Sequence, residues 1–314
     1  MRCEANPVFN TVNLLGGMGN QLFQYLFGAI LERRTGVPTI YDISDFGSYR
    51  THGGFWLDRI FSAEIPKLAG PEGFRRFPVQ RRALKRLAYR LPSSALRLLD
   101  IRTDRDFRVS QIEPGQAGQY FLGYWQGMDY DIGELASVIA GWRFSDQIAS
   151  EAVRHCMALG ADPERDAAVH VRLGDYLRLP KACHLPLTAG YYRRAIALLR
   201  QQRRVRRIYL FSDDIKTAVT LLAGERNIYP VIGPTSAAVE MRMMAMFKDK
   251  LISASTFGWW TAALSEWPQH AIYPAPWVKP DHLDNPILTP PALPGWRPVE
   301  AYDTSTGNLV QAGH

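Results

Sequence analysis

The second half of the chain alternates between two hydrophobic periods, and that alternation restricts the fold more than any other feature. Ala167–Leu173, Arg207–Ser212, Ile228–Ile232, Leu251–Ser255 and His270–Tyr273 have strand composition. Between them, Thr188–Gln202, Asp214–Ala223, Ala237–Phe247 and Gly258–Ser265 carry apolar residues at helical spacing. Strand and helix in strict turn predict a parallel sheet with helices on both faces. Such sheets bind ligands outside the carboxyl ends of their strands, so polar residues at strand ends are the ones to inspect.

The first half opens the same way. Val8–Leu15 reads as a strand, Gly16-Gly17-Met18-Gly19 breaks it, Asn20–Arg34 has Leu22, Phe23, Leu26, Phe27 and Ile30 at helical spacing, and Pro38–Ile43 is a second strand. Residues 74–108 are rich in arginine. Within them Val79, Ala83, Leu84, Leu87 and Leu91 would line one helix face, with Arg81, Arg82, Lys85 and Arg86 elsewhere. Such a helix either packs on its own domain or lies on an anionic bilayer. Gln119–Trp125 reads as strand and turn, and helical patterns follow from about Gly133 to Leu159. Gly160-Ala161-Asp162-Pro163 marks a boundary. The expected division is 1–160, 161–287 and 288–314, the last a proline-rich tail over the surface.

Composition narrows the class. The net charge is +7, which suits an anionic small molecule, a membrane surface or a nucleic acid without choosing among them. The basic cluster lacks an aromatic platform, which ranks nucleic acid last. Cys3, Cys156 and Cys183 are far apart and odd in number, so they signal neither a disulfide framework nor a zinc site. No run is long and apolar enough for a membrane span, and the start lacks a signal-peptide pattern.

Four stretches carry chemistry-bearing residues. The loop Gly16-Gly17-Met18-Gly19-Asn20-Gln21 joins a strand to a helix start, where backbone amides favour a diphosphate, although a plain tight turn fits equally. His170-Val171-Arg172-Leu173-Gly174-Asp175-Tyr176 ends a strand. Arg172 there would grip a diphosphate and Asp175 would accept a proton from a hydroxyl, while a buried histidine beside a structural Arg–Asp pair is the alternative. Phe211-Ser212-Asp213-Asp214 places two carboxylates at another strand end, to bind ribose, orient Arg172 or cap the next helix. Ser255-Thr256-Phe257-Gly258-Trp259-Trp260 sets hydroxyls at a helix start, with the tryptophans in a cleft or in the core. The Asp-x-Asp triplets at Asp104–Asp106 and Asp129–Asp131 are weak metal signals at a frequency chance would give.

Taken together, these blocks resemble the α-1,2-fucosyltransferase family, glycosyltransferase family 11. The opening Gly16-Gly17-Met18-Gly19-Asn20-Gln21-Leu22-Phe23-Gln24-Tyr25 is similar to its Gly-Gly-x-Gly-Asn-Gln-x-Phe-Gln-Tyr, and Gly123-Tyr124-Trp125-Gln126 to its central block. His170–Tyr176, Phe211–Asp214 and Phe257–Trp260 follow in family order, over residues 16 to about 277. The resemblance implies an α/β, GT-B-like fold of two Rossmann-like domains with parallel sheets facing across a cleft, 1–160 on the acceptor side and 161–287 binding the nucleotide sugar. It implies a metal-independent enzyme, without a cofactor, that moves L-fucose from GDP-fucose to the 2-hydroxyl of a galactose-type acceptor with inversion. By the resemblance Arg172 holds the GDP diphosphate, helped by amides of Gly17, Met18, Gly19 and Asn20 and by Ser255 or Thr256 beside Phe257. His170 sits by the guanosine, Glu240 reads guanine's N1 and N2 protons, and Asp213 and Asp214 belong to the donor site. Asp175 is assigned as the base. The sequence departs from the family pattern at Leu173, Ala254 and Gly258, where arginine, asparagine and serine are common. A lipid-linked or soluble glycan acceptor, a peripheral contact with the inner membrane face through 74–108, and a cytoplasmic site complete the expectation. The competing classes are a non-catalytic nucleotide- or glycan-binding module and a membrane-surface or nucleic-acid protein driven by the arginines.

Overall fold

The computed structural model describes residues 9–47, 53–62, 64–68, 85, 87, 90–174, 187–233 and 235–301. The chain divides into two compact units, Met1–Arg143 and Phe144–His314. Each is α/β and built on a parallel sheet.

The first unit contains β1 (Asn10–Asn13), α1 (Met18–Thr35), β2 (Thr39–Asp42), α2 (Leu57–Ile60), β3 (Lys67–Leu68), α3 (Ser93–Leu98), β4 (Ile101–Thr103), β5 (Tyr120–Leu122) and α4 (Ile132–Ala140). Its strand order is β3-β2-β1-β5-β4, every pairing parallel. The chain runs outward from β1 one way and returns on its other side, so the switch point lies between β1 and β5. The helical spacing noted in the sequence is the buried face of α1: Leu22, Phe23, Leu26, Phe27 and Ile30 are wholly buried, each contributing about 1.5–3 kcal/mol. Phe27 stacks on Trp125 with ring centroids 3.9 Å apart. Gly36 ends the helix in the left-handed conformation and donates to Glu32 O, a helix stop that glycine favours.

The second unit contains α5 (Asp146–Ala158), β6 (Ala167–Val171), α6 (Ala189–Gln202), β7 (Ile208–Ser212), α7 (Ile215–Leu221), β8 (Ile228–Pro230), α8 (Ala237–Met246), β9 (Asp249–Leu251), α9 (Thr256–Ala263), β10 (Ala271–Ala275) and β11 (Arg297–Glu300). Its order is β8-β7-β6-β9-β10-β11, all parallel. Counted from β6, this is the 3-2-1-4-5-6 order of dinucleotide-type sheets, with the switch point between β6 and β9. Strand alternation divides β6: Ala167, Val169 and Val171 join the core with Tyr191, Ile196 and Leu199 of α6, and His170 points to the other face.

The helical patterns over Gly133–Leu159 are two helices, α4 and α5, with Ser145 capping the second through Ile148 N. Other expectations need correction. α5 belongs to the second unit, where it packs on α8, so the contact boundary falls at Arg143 rather than near 160. The tail expected over 288–314 contains β11, which pairs with β10. Pro298 is tolerated there because β11 is an edge strand. Residues 302–314 lie outside the described residues.

The arginine-rich segment also departs from its sequence reading, as far as it is described; all of 74–84, with 86, 88 and 89, lies outside the described residues. Lys85, expected on a polar face, is buried and bonded to Asp42 Oδ2 at 2.8 Å, Asp45 Oδ2 at 3.1 Å and Ser44 Oγ at 3.2 Å. Leu87, expected on the apolar face, is exposed. Lys85 is therefore held by a buried ion pair to the end of β2, a partner choice that no local periodicity reports. Arg90–Arg108 holds α3 and β4.

Candidate functional site

The candidate site lies at the switch point of the second sheet. β6 ends at Val171, so Arg172 and Leu173 leave the sheet at its carboxyl end, beside the chain that leaves β9 toward α9. Arg172 Nη1 meets Asp213 Oδ2 at 2.9 Å, and Asp213 Oδ1 accepts the Leu173 amide at 2.9 Å. Asp213 thus fixes both the backbone and the guanidinium of this strand tip. Gly174 is required by the same contact, because a Cβ there would stand 2.2 Å from Asp213 Oδ2. The two side chains of the pair are about a quarter exposed (24% and 26%), which leaves the guanidinium within reach of a ligand.

His170 is 4% exposed, and its Nδ1 lies 2.8 Å from Ser253 Oγ. Burial, with Arg172 nearby, pulls its pKa down to about 3, so the ring is neutral at ordinary pH. Phe257 lies against it with centroids 5.3 Å apart. A Cβ on Gly258 would come within 2.9 Å of His170 Nδ1, which is a physical reason for glycine at that position. Ser253 has no counterpart among the sequence candidates: a lone serine in a strand-end run carries no signal until the sheet sets it against His170.

The neutral histidine gives a pH test. Above about pH 6.5 both folded and unfolded states hold it uncharged; below, only the unfolded state takes the proton. Folding stability therefore falls as pH drops from about 6.5 toward 3, by up to about 1.4 kcal/mol per unit from this group. In urea titrations at stepped pH, His170→Asn is expected to flatten that slope. An unchanged slope would show that His170 is protonated in the fold.

The remaining residues separate by position. Asp214 caps α7, accepting from Thr217 N at 3.2 Å and Thr217 Oγ1 at 2.7 Å. Glu240, in the first turn of α8, accepts from Thr235 Oγ1 at 2.7 Å. Burial raises its pKa; the Thr235 bond opposes this and the Asp213 charge adds to it, which places Glu240 in the field of the site. Ser255 is the N-cap residue of α9, with Thr256 and Phe257 in its first turn. Trp259 and Trp260 are core: both are fully buried, and Trp259 Nε1 donates to Pro291 O. Asp175 and Tyr176 lie outside the described residues.

Gly17, Met18, Gly19 and Asn20 stand at the carboxyl end of β1, in the first unit. Gln21 bonds Gly16 O and Gly54 O through its Nε2 and accepts from Trp56 N; Gln24 accepts from Leu15 N and donates to Gly123 O; and Gln126 donates to Asn20 Oδ1. The glycine loop is thus held by side-chain amides from two separate sequence blocks. The Asp-x-Asp aspartates are engaged elsewhere. Asp104 accepts Tyr124 N, Asp106 accepts Thr103 Oγ1, Asp129 accepts Val109 N and Asp131 caps α4. Among the described residues no cluster of three potential metal ligands forms.

The fold is α/β and GT-B-like, with a carboxylate-braced arginine at the switch point of its second sheet. The family model for glycosyl transferase family 11 matches residues 95–284, and the chain belongs to that family. It is 26% identical to an alpha-1,2-colitosyltransferase of Escherichia coli over 87% of this chain and 93% of that one. It is 26% identical to the galactoside 2-alpha-L-fucosyltransferase Sec1 of Mus musculus over 56% of this chain and 50% of that one. Its fold is similar to NodZ alpha-1,6-fucosyltransferase co-crystallised with GDP, with a TM-score of 0.53 at 12% identity over 83% of this chain and 93% of that one.

Proposed function

We propose that the chain transfers L-fucose from GDP-fucose to the 2-hydroxyl of a galactose-type acceptor, in bacterial polysaccharide or glycan synthesis, with inversion and without a divalent metal. The observation that carries this is Arg172, oriented by Asp213 at the switch point where a diphosphate would sit. A guanidinium makes two parallel bonds to a diphosphate and balances the charge that grows as GDP departs. Ser255, Thr256 and Phe257 at the start of α9 assist it. Neutral His170 and Phe257 offer surface to the guanosine, and Glu240 as a carboxylate would accept guanine's N1 and N2 protons. The acceptor oxygen attacks fucose C1 as its proton passes to a base, assigned to Asp175, and the C1–O bond to GDP breaks. The family membership and the fucosyl- and colitosyltransferase relatives support the reading.

The acceptor is lipid-linked or soluble, and the protein acts in the cytoplasm or peripherally at the inner face of the membrane. Leu87, Leu98 and Leu99 are exposed within the basic 74–108 region, which supports the peripheral contact. No described helix is long and apolar enough to cross a membrane. A colitosyl donor is a second reading, favoured by the relative that matches most of the chain.

Calorimetric titration is expected to give GDP at least about tenfold tighter binding than UDP, a difference of about 1.4 kcal/mol. Transfer from GDP-fucose to a β-galactoside should then survive a chelator. Equal or absent binding of the two nucleotides would sink the proposal. Tight GDP binding with neither transfer nor hydrolysis would favour a non-catalytic module, and transfer from the colitosyl nucleotide alone would favour the second reading.

A further inference from the structure

The other switch point, between β1 and β5 of the first unit, holds an unusual piece of chain. At the end of β5, Trp125 takes a left-handed φ of 57°, rare and costly for a bulky residue. The turn drives Trp125 inward, fully buried and stacked on Phe27, and its carbonyl accepts the Tyr130 hydroxyl at 2.7 Å. Its neighbour Tyr124 is left 39% exposed. The backbone of Tyr124 is clamped from behind: its amide donates to Asp104 Oδ2 at 2.6 Å, and Asp104 is 1% exposed. Gly123 makes room for that carboxylate, since a Cβ there would stand 2.5 Å from Asp104 Cγ. Gln126, the next residue along, is tied to Asn20 of the glycine loop at 3.1 Å. A buried carboxylate, a strained tryptophan and a missing side chain together hold one aromatic residue at the ligand-binding end of a sheet.

We propose that Tyr124 is the platform of a glycan-acceptor subsite in the first unit, an assignment that rests on the transferase reading above. An aromatic face is apolar and weakly negative, and it suits a sugar face made of C–H bonds. In a β-galactoside the hydrogens on C3, C4 and C5 form such a face. Stacking through it leaves the equatorial 2-hydroxyl at the ring edge, accessible for transfer. The fixed backbone adds selectivity, because a residue already held at its amide loses less conformational freedom when the sugar docks.

The test uses methyl β-D-galactopyranoside as probe on the full chain, followed by saturation-transfer NMR, alongside GDP calorimetry and transfer kinetics. In the native protein, saturation is expected to be strongest at the C3, C4 and C5 hydrogens. Tyr124→Ala should weaken galactoside binding and raise the acceptor KM by about tenfold or more, with GDP affinity changed by less than about twofold. Tyr124→Phe, which keeps the ring, should restore acceptor binding. The proposal is overturned if Tyr124→Ala binds the galactoside as the native chain does, if the native chain shows no saturation, or if GDP binding is lost with the ring. Failure of the transferase reading shows separately, as absent turnover with every GDP-sugar, and the NMR comparison still decides the subsite.

Discussion

Arg172→Ala is expected to lower the turnover of GDP-fucose by about 10³-fold, a loss of about 4 kcal/mol of transition-state stabilisation. On the proposed reading the guanidinium faces the charge that develops on the leaving diphosphate, and its brace, Asp213, is still held by the Leu173 amide when it is removed. The fold should survive, because Arg172 is partly exposed and exposed ion pairs contribute little. Steady-state transfer assays with circular dichroism melts on the same samples separate the two effects. Arg172→Lys should recover only a fraction of the rate, since an ammonium cannot make the two parallel bonds. Full activity in the alanine variant would discredit the site assignment.

The second large effect is on stability. Lys85→Met removes the cation from a buried group comprising Asp42, Asp45, Tyr120 and Asn13. Tyr120 donates to Asp42 Oδ2 at 2.6 Å, and Asn13 Nδ2 to Asp45 Oδ2 at 3.2 Å. Two carboxylates would then be buried without a counter-charge, a situation that costs about 3–5 kcal/mol. Burial alone would raise the Asp42 pKa, but the Lys85 charge and the bonds from Lys85, Ser44 and Tyr120 outweigh it and hold the carboxyl below its ordinary value. A depressed carboxylate stabilises the fold above the unfolded pKa of about 3.9 and loses that contribution as pH falls through the folded value. The native protein therefore loses this stability in acid, and the variant, whose carboxyls take up protons readily, loses less. Urea midpoints should differ most near neutrality and converge below about pH 4. Equal midpoints at neutral pH would show that Lys85 does not stabilise the fold.

Much of the candidate site was legible because the strand–helix alternation put His170, Arg172, Asp213 and Ser255 at strand ends before any contact was known. Ser253 illustrates the limit. It became a partner only when β9 paired with β6, more than eighty residues away in sequence. Lys85 and Leu87 reversed their expected faces for a similar reason: the carboxylates of Asp42, at the end of β2, and Asp45, just beyond it, outweighed the local apolar pattern.

What the sequence determined by itself was local: period-two and helical hydrophobic runs, glycine breaks, and family blocks in order, since each depends on residues within a turn or two of one another. The tertiary structure alone decided strand order, and so placed β6 beside β9 and β1 beside β5. It also decided that Asp213 braces Arg172 while Asp214 merely caps a helix. Those choices depend on which distant surfaces bury each other and which buried charges find partners, and such energies are absent from any short window of chain.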